Sequence, residues 1–279
     1  MPSMKYACMT MDVEPDIRSK EPFIDLFADK KKLEPFARIF HERGLPITAF
    51  VVTRLLEEAP HLIQAARDAL PIRFEAHSHS HRQDETDSDR ELDAVVGAFK
   101  GFFGRAPGGY RAPNGLISPA GLGRLSERGF VYDSSVFPSY RFDEYGYNNL
   151  FSPIQPFIFK TPREILEIPL GVIKGIRLVL CLSYIKLLGL SFYKTLMTLF
   201  GLPDIVVFLC HPYDFTVSSS LHRIPGWKRY AHARNARRAM PLFLSFVEML
   251  QKQGYEFIYL DELIQRLDRA SLPKKPVDM

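Results

Sequence analysis

No CxxC pair occurs among the three cysteines, Cys8, Cys181 and Cys210. Each lies in an apolar run, so a disulfide scaffold or a thiolate metal site is excluded and three buried thiols are expected. The N-terminus, MPSMKYACMTMDVEP, has no basic stretch followed by an apolar one. A secretory signal is therefore not expected, and the cytoplasm is the expected compartment. Strong charge of one sign is also missing: the net charge is +4 and the pI near 8.9, which argues against nucleic acid as a partner. No internal repeat or Gly/Ser-rich linker divides the 279 residues, and 46% hydrophobic content suffices for one large core. A single domain over residues 1–270 is expected, with 271–279 (SLPKKPVDM) as a disordered tail. Nor is there an unbroken membrane-length apolar run. Residues 176–202 come nearest, but Arg177, Lys186 and Lys194 interrupt them, so a strand, a turn and a short helix are expected.

What is present is alternation. YACMTMDVE reads as a strand ending in two acids, 33–43 as a helix stopped by Gly44, 47–52 (ITAFVV) as a strand, EEAPHLIQAARDAL as a helix and 72–77 (IRFEAH) as a strand ending in histidine. Ser88 and Glu91 have capping-box spacing at the start of a helix running to about Phe103. Short strands at GGYRAP and FVYDSS flank the helix SPAGLGRLSERG, and 137–163 reads as a long decorated loop. Strands at 165–168, 205–210 (IVVFLC) and EFIYL, and helices at 241–252 and DELIQRL, complete the chain. The pattern predicts an α/β fold of mostly parallel strands wrapped by helices, with chemistry at the carboxyl ends of the strands. Asp12, His77, Arg111, Asp133 and His211 all stand there.

His77 and His81 lie four apart in EAHSHSHR, with His79 between them, at a strand end. Imidazoles so spaced can turn onto one cation, and zinc is the natural choice for such a donor set. Two imidazoles leave a catalytic site short of a ligand that a carboxylate can supply. Asp12 and Glu14 offer one to bind the ion and one to take a proton from water.

These segments resemble the motifs of the polysaccharide deacetylase family (NodB homology, carbohydrate esterase family 4). MDVE is similar to its first motif, HSHSH to its second, RAPN to its third and FLCHP to its fifth, in family order along nearly the whole chain. The resemblance implies a distorted (β/α) barrel and metal-dependent removal of an N-acyl group, expected to be acetyl, from an amino sugar. It further implies Asp12 as general base, Glu14, His77 and His81 as metal ligands, Arg111 as the residue that holds the base, and His211 as general acid. The backbone amide following the Arg-Ala-Pro turn would help to hold the oxyanion. Relatives that open cyclic amides or remove formyl groups, and a non-catalytic glycan-binding relative, are the alternatives.

The chain departs from the family pattern in three ways. The second acid is offset to Glu14, which leaves Asp12 itself as an alternative ligand. The fourth motif has no match, because Trp227 lies beyond His211. Asp133, Glu167 and Asp214 are the candidates to orient His211, with Asp133 preferred because it follows a strand. Finally, the apolar 176–202 segment replaces the usual aromatic, glycine-rich stretch. Together with the basic residues of 223–238 (Arg223, Lys228, Arg229, Arg234, Arg237 and Arg238), it suggests peripheral contact with the inner membrane face and a carbohydrate or lipid-linked sugar substrate.

Overall fold

The structure, a computed structural model, describes residues 4–277 apart from 18, 20, 142–145, 147, 218–222, 224 and 225. Ten strands form one curled sheet among the described residues: β1 (Lys5–Val13), β2 (Ile47–Val51), β3 (Ile72–Ala76), β4 (Gly109–Tyr110), β5 (Tyr132–Asp133), β6 (Phe157–Phe159), β7 (Ile165–Glu167), β8 (Ile205–Cys210), β9 (Tyr255–Phe257) and β10 (Lys274–Lys275). Their order is β10-β6-β7-β5-β4-β3-β2-β1-β8, with β9 beside the start of β1. Every pairing is parallel except β6 with β7. Residues 170–181 bridge the remaining gap: Gly171 N donates to Val207 O, and Leu209 N donates to Leu180 O. This is the expected distorted barrel.

Strands of a closed parallel sheet are covered on both faces, so they read as continuous apolar runs whose alternation decides which side chain points where. In β1, Ala7, Met9, Met11 and Val13 join the outer core under the helices, whereas Tyr6 and Cys8 join the inner core with Phe50, Tyr132, Leu166, Val207 and Leu209. Continuing the inner row by twos reaches Thr10, Asp12 and Glu14. The same parity carries Val207 and Leu209 to His211, and Tyr132 to Ser134. The opposite parity sends Asp133 and Glu167 away from the barrel interior.

Several elements differ from expectation. The helix expected over EEAPHLIQAARDAL is two, Leu55–Glu58 and Pro60–Ala69, divided at Ala59, because Pro60 opens the second. The 137–163 loop contains β6, and its residues 142–145 and 147 lie outside the described residues. The expected disordered tail is ordered to residue 277, since Ile158 N donates to Pro273 O and Lys160 N to Lys275 O. Ser88 caps the helix Asp89–Phe103 through the amide of Glu91, but the Glu91 carboxylate turns to the histidine loop instead of closing the box. Segment 176–202 forms two short helices, Leu182–Leu188 and Leu190–Phe200, separated by Gly189. Among the described residues no helix is long and apolar enough to cross a membrane. All three cysteines are buried and free, and burial pushes each thiol well up from its ordinary value.

β4 approaches β5 so closely that a Cβ on Gly109 would overlap the ring of Tyr132, itself buried. Gly109→Ala is expected to lower the unfolding free energy by about 1–3 kcal/mol, as overpacking does, measured by urea denaturation.

Candidate metal and acid–base centre

Asp12 ends the inner row of β1 and is 4% exposed. Its Oδ1 accepts from Arg111 Nη1 at 2.7 Å, and its Oδ2 lies 3.9 Å from His77 Nε2. Arg111, beyond the end of β4, has no exposure at all. Its other donors reach Thr10 Oγ1 (2.9 Å), Ser134 O (3.0 Å) and Ser134 Oγ (2.9 Å), and its guanidinium lies 4.1 Å from the Phe50 ring centroid. Asp12 and Arg111, expected as base and holder, are therefore in direct contact.

The histidine loop turns back on itself through left-handed backbone at Ser78 (φ 56°) and His81 (φ 60°), unusual for residues with side chains. Its bonds hold that shape. Glu91, 5% exposed, accepts from the amides of His79 (2.8 Å) and Ser80 (2.6 Å), while Ser78 Oγ accepts from His81 N. His79 points elsewhere, with Nδ1 3.1 Å from Thr53 Oγ1.

The turn places Glu14, His77 and His81 so that one ligand atom from each lies within 4.8 Å of the others. His77 Nδ1 is 2.8 Å from Arg111 O, a carbonyl that can only accept. Nδ1 therefore carries the proton, and Nε2 presents its lone pair to the cluster. Two imidazoles and a carboxylate with room for water match the donor set of a catalytic divalent cation, so the residues fit a metal. His81 Nε2 lies 2.6 Å from Glu14 Oε2.

The charges follow from that pairing. Burial would raise the Glu14 carboxyl, but the charges of His81, His211 and His77 hold it well below the usual range. Burial lowers the His77 imidazole, helped by the charge of His81, to about 4 despite Asp12 and Glu14. Burial also works against charged His81, yet Glu14 holds its value above the ordinary one.

His211 follows β8 on the inner parity. The structure corrects the carboxylate expected beside it: Asp214, not Asp133, meets His211. Asp214 Oδ2 lies 3.3 Å from His211 Nδ1 and accepts from His211 N at 3.0 Å. Burial opposes a charged His211, but Asp214, then Glu14 and Asp12, hold its pKa above the ordinary value. Asp133 instead bonds Ser135 through both its hydroxyl (2.7 Å) and its amide (3.2 Å), next to Glu167. Both carboxyls are fully buried and pushed upward by burial. Ser135 Oγ in turn accepts from Ala112 N, so the pair supports the turn after Arg111 from behind.

Two contributors were not foreseen. Tyr213 donates to Glu14 Oε1 at 2.8 Å and stacks on His211, with centroids 4.6 Å apart. Lys186, 2% exposed, points inward and binds Asp214 Oδ1 at 3.0 Å, beside Ser183 Oγ at 2.8 Å. Its position in an apolar run suggested a cation at the edge of a lipid-facing ledge. Nothing in sequence spacing marks it as the partner of a carboxylate 28 residues later.

The family model for polysaccharide deacetylases matches residues 5–132. A sequence comparison with curated proteins finds no match. Solved structures share the fold at low identity. A Mycobacterium smegmatis protein assigned as a polysaccharide deacetylase is 18% identical, with TM-score 0.59 over 99% of this chain and 94% of that one. An allantoinase is 13% identical, with TM-score 0.59 over 99% and 94%. A carbohydrate esterase family 4 pseudoenzyme from Bacillus anthracis is 13% identical, with TM-score 0.52 over 99% and 68%.

Removing one partner of a buried ion pair leaves an uncompensated charge, so Lys186→Met is expected to lower stability by about 3–5 kcal/mol in urea denaturation. A cation at the cluster competes with a proton on His81, which Glu14 favours. Apparent zinc affinity, read by competition with a chelating dye, should fall roughly tenfold per pH unit once pH drops below the His81 value.

Proposed function

We propose that the chain removes an N-acyl group, acetyl in the first instance, from an amino sugar in a glycan or lipid-linked precursor; the match of residues 5–132 to the polysaccharide deacetylase family model, a family of hydrolases of carbon–nitrogen bonds other than peptide bonds, supports this reading. Enzymes of this family generally use a divalent metal, and we propose zinc here. The observation that carries the reading is the convergence of Asp12, Arg111, Glu14, His77, His81 and His211 on one strand-end cluster. The fold alone does not decide, since a pseudoenzyme shares it. A complete set of ligands, base and acid is what hydrolysis needs.

Glu14 and the Nε2 atoms of His77 and His81 would hold the cation, which when bound polarises the acyl carbonyl and makes water more acidic. Arg111 occupies Oδ1 of Asp12 and leaves Oδ2 facing the cluster, where it takes the proton of the attacking water. His211 directs Nδ1 at Asp214, so its proton on Nε2, 3.8 Å from Glu14 Oε1, is the one aimed at the site. Asp214 holds the pKa of His211 above its ordinary value, which favours the protonated ring that would deliver a proton to the leaving nitrogen. The products are a free amine and a carboxylate. A cavity of about 400 Å³, lined in part by Gln83, Asp87, Leu116 and Asn149, is bordered by none of the acid, base or ligand residues and is not assigned to the sugar.

Incubation with acetylated oligosaccharides and glycolipids should release acetate, and product mass spectrometry identifies the sugar. Formate from formylated analogues, with no acetate, would assign the formyl-removing alternative. Asp12→Asn should keep the metal by elemental analysis and lower turnover by about 10²–10⁴-fold, the range of general acid–base catalysis. Loss of the ion in that variant would make Asp12 the ligand and overturn the assignment.

A further inference from the structure

The basic residues are distributed very unevenly. From Ile168 to Pro203, and again from Phe215 to Val247, there is no acid, while these segments hold Lys174, Arg177, Lys186 and Lys194 in the first and six cations in the second. The rest of the chain carries the remaining 26 cations against all 32 acids. A nearly neutral protein is thus strongly polarised, with a basic part and an acidic part.

The two acid-free segments meet in space, since Asn235 Nδ2 donates to the carbonyl of Lys186 at 2.7 Å. Of their cations, Lys186 is spent inward on Asp214, whereas Lys174, Lys194, Arg229, Arg234, Arg237 and Arg238 are exposed. Exposed large apolar side chains concentrate on the same segments. Phe192 is 48% exposed, Leu199 70% and Phe200 44%, and with half-buried Leu196 they stand at i, i+4, i+7 and i+8, one stripe of the helix Leu190–Phe200. Tyr184 and Leu188 of the preceding helix and Ile176 add to that apolar surface, and Gly175 lies against the Phe200 ring. Tyr193 and Met197 on the opposite side are buried, so the stripe is the outer face of a helix already anchored in the core.

A short amphipathic helix with an outward apolar stripe among exposed cations, where the neighbouring acid Glu248 is paired with Arg43, has the character of a surface that rests in the headgroup region of an anionic bilayer. We propose that this face docks on anionic phospholipid membranes. It adjoins the acid–base centre: Lys186 and Asn235 connect it to Asp214 and so to His211, and the His232 ring lies 6.3 Å from that of Tyr213. Docking would bring His211 close to the headgroup plane, where a sugar carried on a lipid presents its acyl group.

The contact is separable from the hydrolytic reading and is tested without turnover. The purified full-length chain is sedimented with phosphatidylcholine vesicles, with and without about 30 mol% phosphatidylglycerol, at low and high salt. The expected result is salt-sensitive binding to the anionic vesicles that falls roughly tenfold or more in Arg237→Ala/Arg238→Ala and in Phe192→Ser/Leu199→Ser. These side chains are exposed, so thermal unfolding followed by circular dichroism should match the parent chain. Absence of binding to anionic vesicles, or binding that both double variants retain, overturns the proposal. So does a dimer in analytical ultracentrifugation that Phe192→Ser/Leu199→Ser dissociates, because the face is then covered by a second copy. Either failure leaves the release of acetate from a soluble acetylated amino sugar as a separate test of the hydrolase.

Discussion

A guanidinium completely removed from water must have its donors satisfied and its charge opposed, and Arg111 meets that constraint with groups from three parts of the sheet. Asp12 and Thr10 come from β1, Ser134 from beyond β5, and the Phe50 ring of β2 lies against its face. The backbone carbonyl of Arg111 also fixes the tautomer of His77. One buried cation thus holds Asp12, fixes which nitrogen of His77 faces Glu14 and His81, and ties β1 to the strands on the far side of the barrel. The Asp133–Ser135–Ala112 contacts behind it keep that turn from moving.

A second buried cation organises the other half of the site. Asp214 is fully buried and receives Lys186, Ser183 and His211 together. Lys186 neutralises a carboxylate that would otherwise be costly to bury, and the same carboxylate fixes which nitrogen of His211 faces the ligands. A lysine on a short helix and an aspartate three residues after His211 together hold that ring. The helix Leu182–Leu188 therefore has an inner side facing Asp214 and an outer side, with Tyr184 and Leu188, facing solvent.

Much of this was legible in the residues. Apolar runs ending in Asp12, His77, Arg111 and His211 mark strand ends of a parallel sheet, and the clustering of chemistry there follows from how such folds are wound. Asp133 is kept from His211 by strand parity: Tyr132 packs in the inner core, so the next residue on the pleated strand faces outward. The parity of a two-residue strand is hard to assign until its register is known. Tyr213 had no such signal, since an aromatic after His-Pro reads equally well as core.

The sequence by itself determined the order of strands and helices, the identity of the acids and histidines at strand ends, and the unequal placement of charge along the chain. Those properties reside in spacing and composition, which need no partner to be read. Tertiary structure alone decided that Asp214 and Lys186 serve His211, that Tyr213 holds Glu14, that Glu91 leaves its helix cap for the histidine loop, and that Lys274 and Lys275 join the sheet. Each of these depends on which groups burial leaves without water, and that is fixed only when distant segments close over one another.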